Sequence, residues 1–318
     1  MEKKEIKVLD HGYVKFIDSM GTDESIIEAA RMSTGKGFIS WDPYFRCDYC
    51  EKVYLHTEEQ KSEGILIPVC PKHNRINYPR GDAGLLEHLY KNKHMTPFEM
   101  CELVIEVQAP IFVFREWHRH RTQSFNEFSA RYSVMPNLHY IPNKKRLLPK
   151  VTANKQESGM FHGALPINLE GTQEALALEQ NKVYDNYDRM LGFGIPKEVA
   201  RINTPVSRYS KMRAKANLRN WLGFLMLRKA KDAQWEIRQF ADVVGNIVEQ
   251  LWPRAYALFL EHDFNAVRFS ASEMKTLKAL IYNLSHSTGE QFLYEDALNN
   301  LKVPVAIIKS IKKKIDGE

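Results

Sequence analysis

The hydrophobic period of this chain changes at a single proline. In Cys101-Glu-Leu-Val-Ile-Glu-Val-Gln108 every odd position is apolar and most even positions are polar. That alternation marks a strand buried on one face. Pro110 then suits the first turn of a helix, and Ile111, Phe114 and Trp117 follow at helical spacing. A strand running directly into a helix commits the chain to a mixed architecture.

Other segments extend the mixture. Thr22 to Met32 reads as a helix capped by Thr22 or Asp23, with Ile26, Ile27 and Ala30 on one face. Asp82 to Lys93 is a second helix, carrying Leu85, Leu86 and Leu89. Residues 136–171 are rich in Pro, Asn, Lys and Gly and read as loop. A long helix over Thr172–Leu191 stops at Gly192, Gly194 and Pro196. Pro196 opens a short helix to Ile202, Tyr209–Ala216 suits a strand, and Asn217–Arg228 a buried helix. Asp232–Leu251 is the clearest amphipathic helix, with Ile237, Phe240, Ala241, Val244, Ile247, Val248 and Leu251 in one stripe for core or subunit interface. Another helix follows Pro253, and two or three more follow Ser272. Helices and few strands without regular alternation predict an α+β fold.

Composition removes several classes. The chain has 318 residues, 44% of them hydrophobic and 26% charged, as in globular proteins. The first residues, Met-Glu-Lys-Lys-Glu, have no apolar core, so no signal peptide is expected. No apolar run approaches the ~20 residues of a membrane span. A formal net charge of +6 suits anionic small ligands and argues little for nucleic acid. Four cysteines without a secretion signal predict a reducing, cytoplasmic setting.

Chemistry concentrates where the helix after Pro110 runs out. Arg119-His-Arg-Thr-Gln-Ser-Phe-Asn-Glu-Phe-Ser-Ala-Arg-Tyr132 holds three arginines, a histidine, a glutamate, an asparagine and two serines. Guanidinium groups grip phosphate bidentately, and Ser, Asn and Glu suit the polar edges of a base or sugar. The residues alone also allow a surface loop of ion pairs, and Ser124-x-x-Glu127 could be a helix capping box.

This stretch resembles the signature of flavin-dependent thymidylate synthases. Three further segments resemble the family in the expected order. They are Ala29–Ser33; Gly81–Glu99 running on to Ala109–Arg115; and Ala200-Arg201-Ile followed by Asn217-Leu-Arg219, Leu227-Arg228 and Ala233–Arg238. The resemblance implies reductive methylation of dUMP to dTMP. Methylenetetrahydrofolate would give the carbon, and NADPH the hydride through FAD. It implies that Ser33, Thr96, Arg119, His120, Arg121, Glu127, Asn217 and Arg219 touch FAD. It also implies that Glu127, Ser129, Arg131, Arg201 and Arg228 hold dUMP, with Arg119 near both ligands. Arg228 would stabilise the uracil deprotonated at N3. His94 would lie beside the flavin and bind or relay a proton, and Ser129 beside the reacting base. Several subunits of a homotetramer would complete each site. On residue type alone, Arg228 is a cation near a helix C-terminus and His94 a helix cap. In the family a Gln commonly stands on the substrate side where this chain has Glu116, and an Asn often stands where it has Gly223. A sister reaction, flavin-dependent hydroxymethylation at C5, and an inactive zinc-ribbon binding protein are the alternatives.

Between the first two family-like segments lie Cys47-Asp-Tyr-Cys50 and Cys70-Pro-Lys-His73, spaced C-x2-C-x19-C-x2-H. Two close ligand pairs about 20 residues apart suit a tetrahedral structural zinc site; free thiols in a polar loop are the other reading. The expected organisation is a synthase-like domain over 1–39 and 80–262, a zinc-ribbon-like insertion over 40–79 and a helical extension over 263–318.

Overall fold

The computed structural model describes residues 2–42, 44–47, 49–50, 52–55, 72–73, 81–148, 168–267 and 269–271. In chain order these form β1 (Glu5–Val8), β2 (Gly12–Met20), α1 (Asp23–Arg31), β3 (Tyr44–Arg46) and β4 (Val53–Leu55). Then come α2 (Asp82–Lys91), β5 (Glu102–Pro110), α3 (Ile111–Trp117), β6 (Ser124–Glu127) and α4 (Leu169–Gly192). They are followed by α5 (Lys197–Ala200), β7 (Tyr209–Asn217), α6 (Leu218–Arg228), α7 (Trp235–Leu251) and α8 (Pro253–Phe259). The chain divides into two units, Met1–Phe264 and Asn265–Glu318. The helices expected after Ser272 lie outside the described residues.

The α+β expectation holds. One five-stranded antiparallel sheet runs β1-β2-β5-β7-β6, and β3 pairs separately with β4. The alternation that predicts β5 orders the core: Leu103, Ile105, Val107 and Ala109 are fully buried, as are Trp117, Trp221 and Trp252. The α7 stripe is buried from Ile237 to Val248, with Leu251 half-buried at its end. Each large apolar side chain removed from water contributes about 1.5–3 kcal/mol. Gly12 lets α7 close on the β1–β2 turn. A Cβ there would lie 2.6 Å from the Val8 carbonyl oxygen and 2.9 Å from Phe240 Cζ.

Several boundaries differ from the sequence expectations. β1 and β2 precede the first predicted element, and β2 carries a register shift between Phe16 and Asp18 that breaks its alternation. Ser124–Glu127 is an edge strand on β7, not a helix cap. Pro110 closes β5 and caps α3 from outside it. The long helix starts at Leu169, three residues early, because the Asn168 side chain accepts from Gly171 N. α7 starts at Trp235 rather than Asp232.

Two buried aspartates join distant segments. Asp23, at the start of α1, accepts from Arg254 N at 2.8 Å and Ala255 N at 3.0 Å, and so caps α8. Asp82 is fully buried. It pairs with Arg31 and accepts from Ile39 N at 2.7 Å, Ser40 N at 3.1 Å and the Tyr44 hydroxyl at 3.4 Å. The chain leaves the main domain at residues 39–40 and returns by residue 82, so one carboxylate pins both ends of that excursion. Removing one partner of a buried pair costs about 3–5 kcal/mol. Asp82→Ala should lower unfolding free energy by roughly that amount in urea titrations; a loss under about 1 kcal/mol, the value of a surface pair, would show the neck to be solvated.

Candidate active site

The arginine-rich turn is shaped by the end of α3. Trp117 is fully buried, and its indole Nε1 donates to Gln123 Oε1 at 3.0 Å. Backbone bonds from Arg119 N to Glu116 O and from His120 N to Trp117 O tighten the turn. His120 folds back against Phe224 of α6, while Arg119 and Arg121 on either side are exposed.

This brings three predicted residues into contact. Arg228, the last residue of α6, donates from Nε to His120 Nε2 at 2.8 Å. Its Nη1 donates to Glu116 Oε2 at 3.2 Å and its Nη2 to the Glu116 carbonyl at 3.0 Å. A guanidinium has five N–H donors; three are engaged here, leaving two. Burial first, and then the Arg228 charge, push the His120 pKa down to about 4. At neutral pH the ring is uncharged and can accept. Burial raises Glu116 above its ordinary carboxylate value, with Arg228 opposing and distant Glu236 adding to the rise. Glu116 is therefore not a stray anion: its carboxylate and its carbonyl both hold Arg228.

A second group surrounds a cavity of about 340 Å³ lined by Arg115, Glu127, Arg201, Tyr209 and Ser210, among others. β6 delivers Glu127 opposite Met212, and Ser210 Oγ donates to Glu127 Oε1 at 2.7 Å. Ser129 follows; its Oγ accepts from Arg131 N at 3.3 Å and its carbonyl from Tyr132 and Ser133 N. Arg131 donates from Nε to Glu198 Oε2, also on the cavity wall, at 2.8 Å. Arg228 does not line this cavity.

A third group gathers at the other end of α6. Asn217 caps that helix by accepting from Asn220 N at 3.0 Å. Arg219 pairs with Glu99 Oε1 at 2.5 Å, within the turn Thr96–Met100 that packs on α1 and α6. Thr96 opens that turn, and Ser33 sits in the turn after α1; both are exposed. His94 is exposed just before it, its ring edge-on to His88 at 5.8 Å. The eleven residues of α6 span about 16 Å, so Arg219 and Arg228 serve different parts of the surface. Gly223 lies between them on an open face, where a Cβ would meet nothing within 4 Å.

The cations thus divide. Arg131, Arg219 and Arg228 are held by glutamates, whereas Arg119, Arg121 and Arg201 have no side-chain partner among the described residues. Unpaired guanidinium groups beside capped turns fit the phosphates of a dinucleotide cofactor and a nucleotide. Sequence reasoning missed Ser210, Glu99 and Glu198, which act on predicted residues from far along the chain. In the insertion, Cys47, Cys50 and His73 converge, their ligand atoms within 4.8 Å of one another. Cys70 lies outside the described residues.

The sheet and these groups define an α+β protein with cationic ground for anionic ligands. A family profile described as "Thymidylate synthase complementing protein" matches residues 15–254. A flavin-dependent thymidylate synthase of Thermus thermophilus is 35% identical, covering 98% of this chain and 96% of that protein. That of Treponema denticola is 35% identical, covering 87% and 90%. Among solved structures, the UMP/dUMP methylase PolB from Streptomyces cacaoi, bound with 5-Br dUMP, aligns with a TM-score of 0.59 and 26% identity, over 81% of this chain and 99% of that one. The chain belongs to the thymidylate synthase complementing protein family, that of the flavin-dependent thymidylate synthases.

The His120 shift sets a pH dependence. Its pKa is depressed from about 6.5 in the unfolded chain to about 4 in the fold. Between those values the unfolded state binds more protons, so stability falls as pH drops through this window. His139, also depressed to about 4 by burial and Arg208, contributes in the same sense. NMR titration should give His120 a midpoint near 4. A midpoint near the ordinary value would mean that the imidazole does not accept from Arg228.

Proposed function

We propose that this chain is a flavin-dependent thymidylate synthase that reductively methylates C5 of dUMP. The observation carrying the reading is Arg228, oriented at three points and left with two free N–H groups beside the signature turn. When bound, FAD would relay hydride from NADPH, and methylenetetrahydrofolate would supply the one-carbon unit.

The chain's own residues supply position and charge. Arg228 presents a guanidinium whose donors cannot rotate away, because Glu116 and His120 hold three of them. Facing a uracil, it would stabilise negative charge developing at N3. Glu127, fixed by Ser210, would accept from the ribose or base. Ser129 would lie beside the base, with Arg131 and Arg201 on phosphate or ribose. Arg119, Arg121, Asn217, Arg219, Thr96 and Ser33 would hold the dinucleotide cofactor, with His94 at its edge. Arg119 and Glu127 would face both ligands.

The groups stand apart within one chain, which supports completion of each site by a second subunit, as in a homotetramer. Ile202 and Val206 line the Glu127 cavity yet are 72% and 52% exposed, and Tyr132 and Val134 nearby are 75% and 51% exposed. Exposed apolar surface of this kind suits an interface between copies. Among the described residues no helix is long and apolar enough to cross a membrane, and a cytoplasmic setting fits the cofactors proposed.

Purified protein should be yellow with non-covalent FAD. Colourless protein without saturable FAD binding would refute the reading. Arg228→Ala should lower dTMP formation by roughly 10²–10³-fold while leaving the fold intact. Arg228→Lys should not rescue it, since an ammonium has three donors in all and none would remain for the ligand once His120 and Glu116 were held at three points. Turnover with dUMP and UMP in parallel fixes the substrate. Near-normal turnover by Arg228→Ala would leave Arg228 a helix-end cation.

A further inference from the structure

The insertion holds a ligand set that the proposed reaction does not use. β3 and β4 form a short antiparallel hairpin in the register Tyr44↔Leu55 to Arg46↔Val53. Its turn is closed by a backbone bond from Cys47 N to Lys52 O at 3.0 Å. The turn carries Cys47, fully buried, and Cys50, exposed. His73 comes to the same place from beyond the hairpin. Cys47 Sγ and His73 Nδ1 are 3.4 Å apart, and Tyr49 stacks on the His73 ring with centroids 5.5 Å apart.

The geometry points to a structural zinc ion held by Cys47, Cys50 and His73, clasping the hairpin turn to a later segment of the insertion. Zinc–sulfur and zinc–nitrogen bonds of about 2.3 and 2.0–2.1 Å at a tetrahedral angle put sulfur and nitrogen about 3.5 Å apart. The Cys47–His73 separation matches that edge of the tetrahedron. Two thiolates and an imidazole are a soft, borderline set that selects zinc over magnesium or calcium. Cys70, the fourth ligand expected from the sequence spacing, lies outside the described residues; a closed set of four ligands is structural rather than catalytic.

The placement explains what the metal would do. The hairpin begins at Tyr44, whose hydroxyl accepts from Arg31 Nη2 at 2.8 Å and touches Asp82 at 3.4 Å. Asp82 pins both ends of the insertion at its neck. Residues 40–79 are too short a segment to build a sufficient core of their own, so metal binding can supply the folding free energy that a larger core would otherwise provide. The clasp would hold one end of the hairpin and the aspartate the other. Arg31 lies two residues before Ser33, so an ordered hairpin also buttresses the turn proposed to meet the cofactor.

Full-length protein purified without chelator should contain about one zinc per chain by elemental analysis. Cobalt(II) substitution should give the intense visible bands of tetrahedral coordination with thiolate charge-transfer absorption. Cys47→Ser should abolish stoichiometric metal. Because that variant can misfold, His73→Cys gives a second test: it should retain zinc and strengthen the thiolate–cobalt band. Metal-free wild-type protein, iron in place of zinc, a weak six-coordinate cobalt spectrum, or a His73→Cys spectrum identical to wild type would each overturn the assignment. Flavin absorbance on the same samples separates this outcome from the fate of the synthase reading.

Discussion

The antiparallel register of β7 is the constraint on which the candidate site depends. Its first residues, Tyr209 and Ser210, line the Glu127 cavity, and its last, Asn217, caps α6. Between them it pairs with β5 on one side and β6 on the other. Phe128 N donating to Lys211 O at 2.7 Å continues the β6 ladder toward Ser129. A slip of one residue would turn Met212, Ala214 and Ala216 out of the core. It would also carry Ser210 away from Glu127 and rotate the start of α6, which sets both Arg219 and Arg228. Packing thus enforces the register, and the register aligns chemistry supplied from distant parts of the chain.

Legibility in the sequence follows how local the cause is. β5, α3 and α7 declare themselves because one face of each is buried along its whole length, so the period is written in adjacent residues. β2 does not, because its bulge after Phe16 interrupts the alternation. β6 has no local signal at all. Ser-Phe-Asn-Glu is mostly exposed, with Phe125 half-buried, and its strand conformation is imposed by the free edge of β7. The aspartate at the neck was equally hidden: Asp82 reads as an ordinary first-turn residue until the fold brings residues 39–44 to it.

The site divides in the same way. The signature turn, Arg201 and Arg228 were readable as a set through family resemblance. Their partners were not. Glu99, Glu198 and Ser210 are 120, 67 and 83 positions from the residues they hold, and no spacing rule spans such intervals. Where the family commonly has Gln on the substrate side, Glu116 would put an extra carboxylate near an anionic nucleotide, which is unfavourable unless it is paired. The fold answers that concern, because the same residue anchors Arg228 twice.

That pairing bears on how the arginines can act. An arginine neutralised by a carboxylate attracts a distant anion weakly, since the pair's field falls off quickly and is further screened by salt. In the proposed reaction, recruitment of phosphates would therefore fall to Arg119, Arg121 and Arg201, which have no side-chain partner among the described residues. The paired arginines serve a different need. Arg228 is partly buried, and an unpaired guanidinium there would carry a desolvation cost and sample several rotamers. With Glu116 and neutral His120 in place, it would meet the proposed ligand already oriented, and little reorganisation would remain as charge develops on the base. Protonating His120 would remove an acceptor and add a cation at hydrogen-bonding distance from Arg228. The depressed histidine pKa and the fixed arginine are two aspects of one arrangement, and each depends on the burial that α3 and α6 provide.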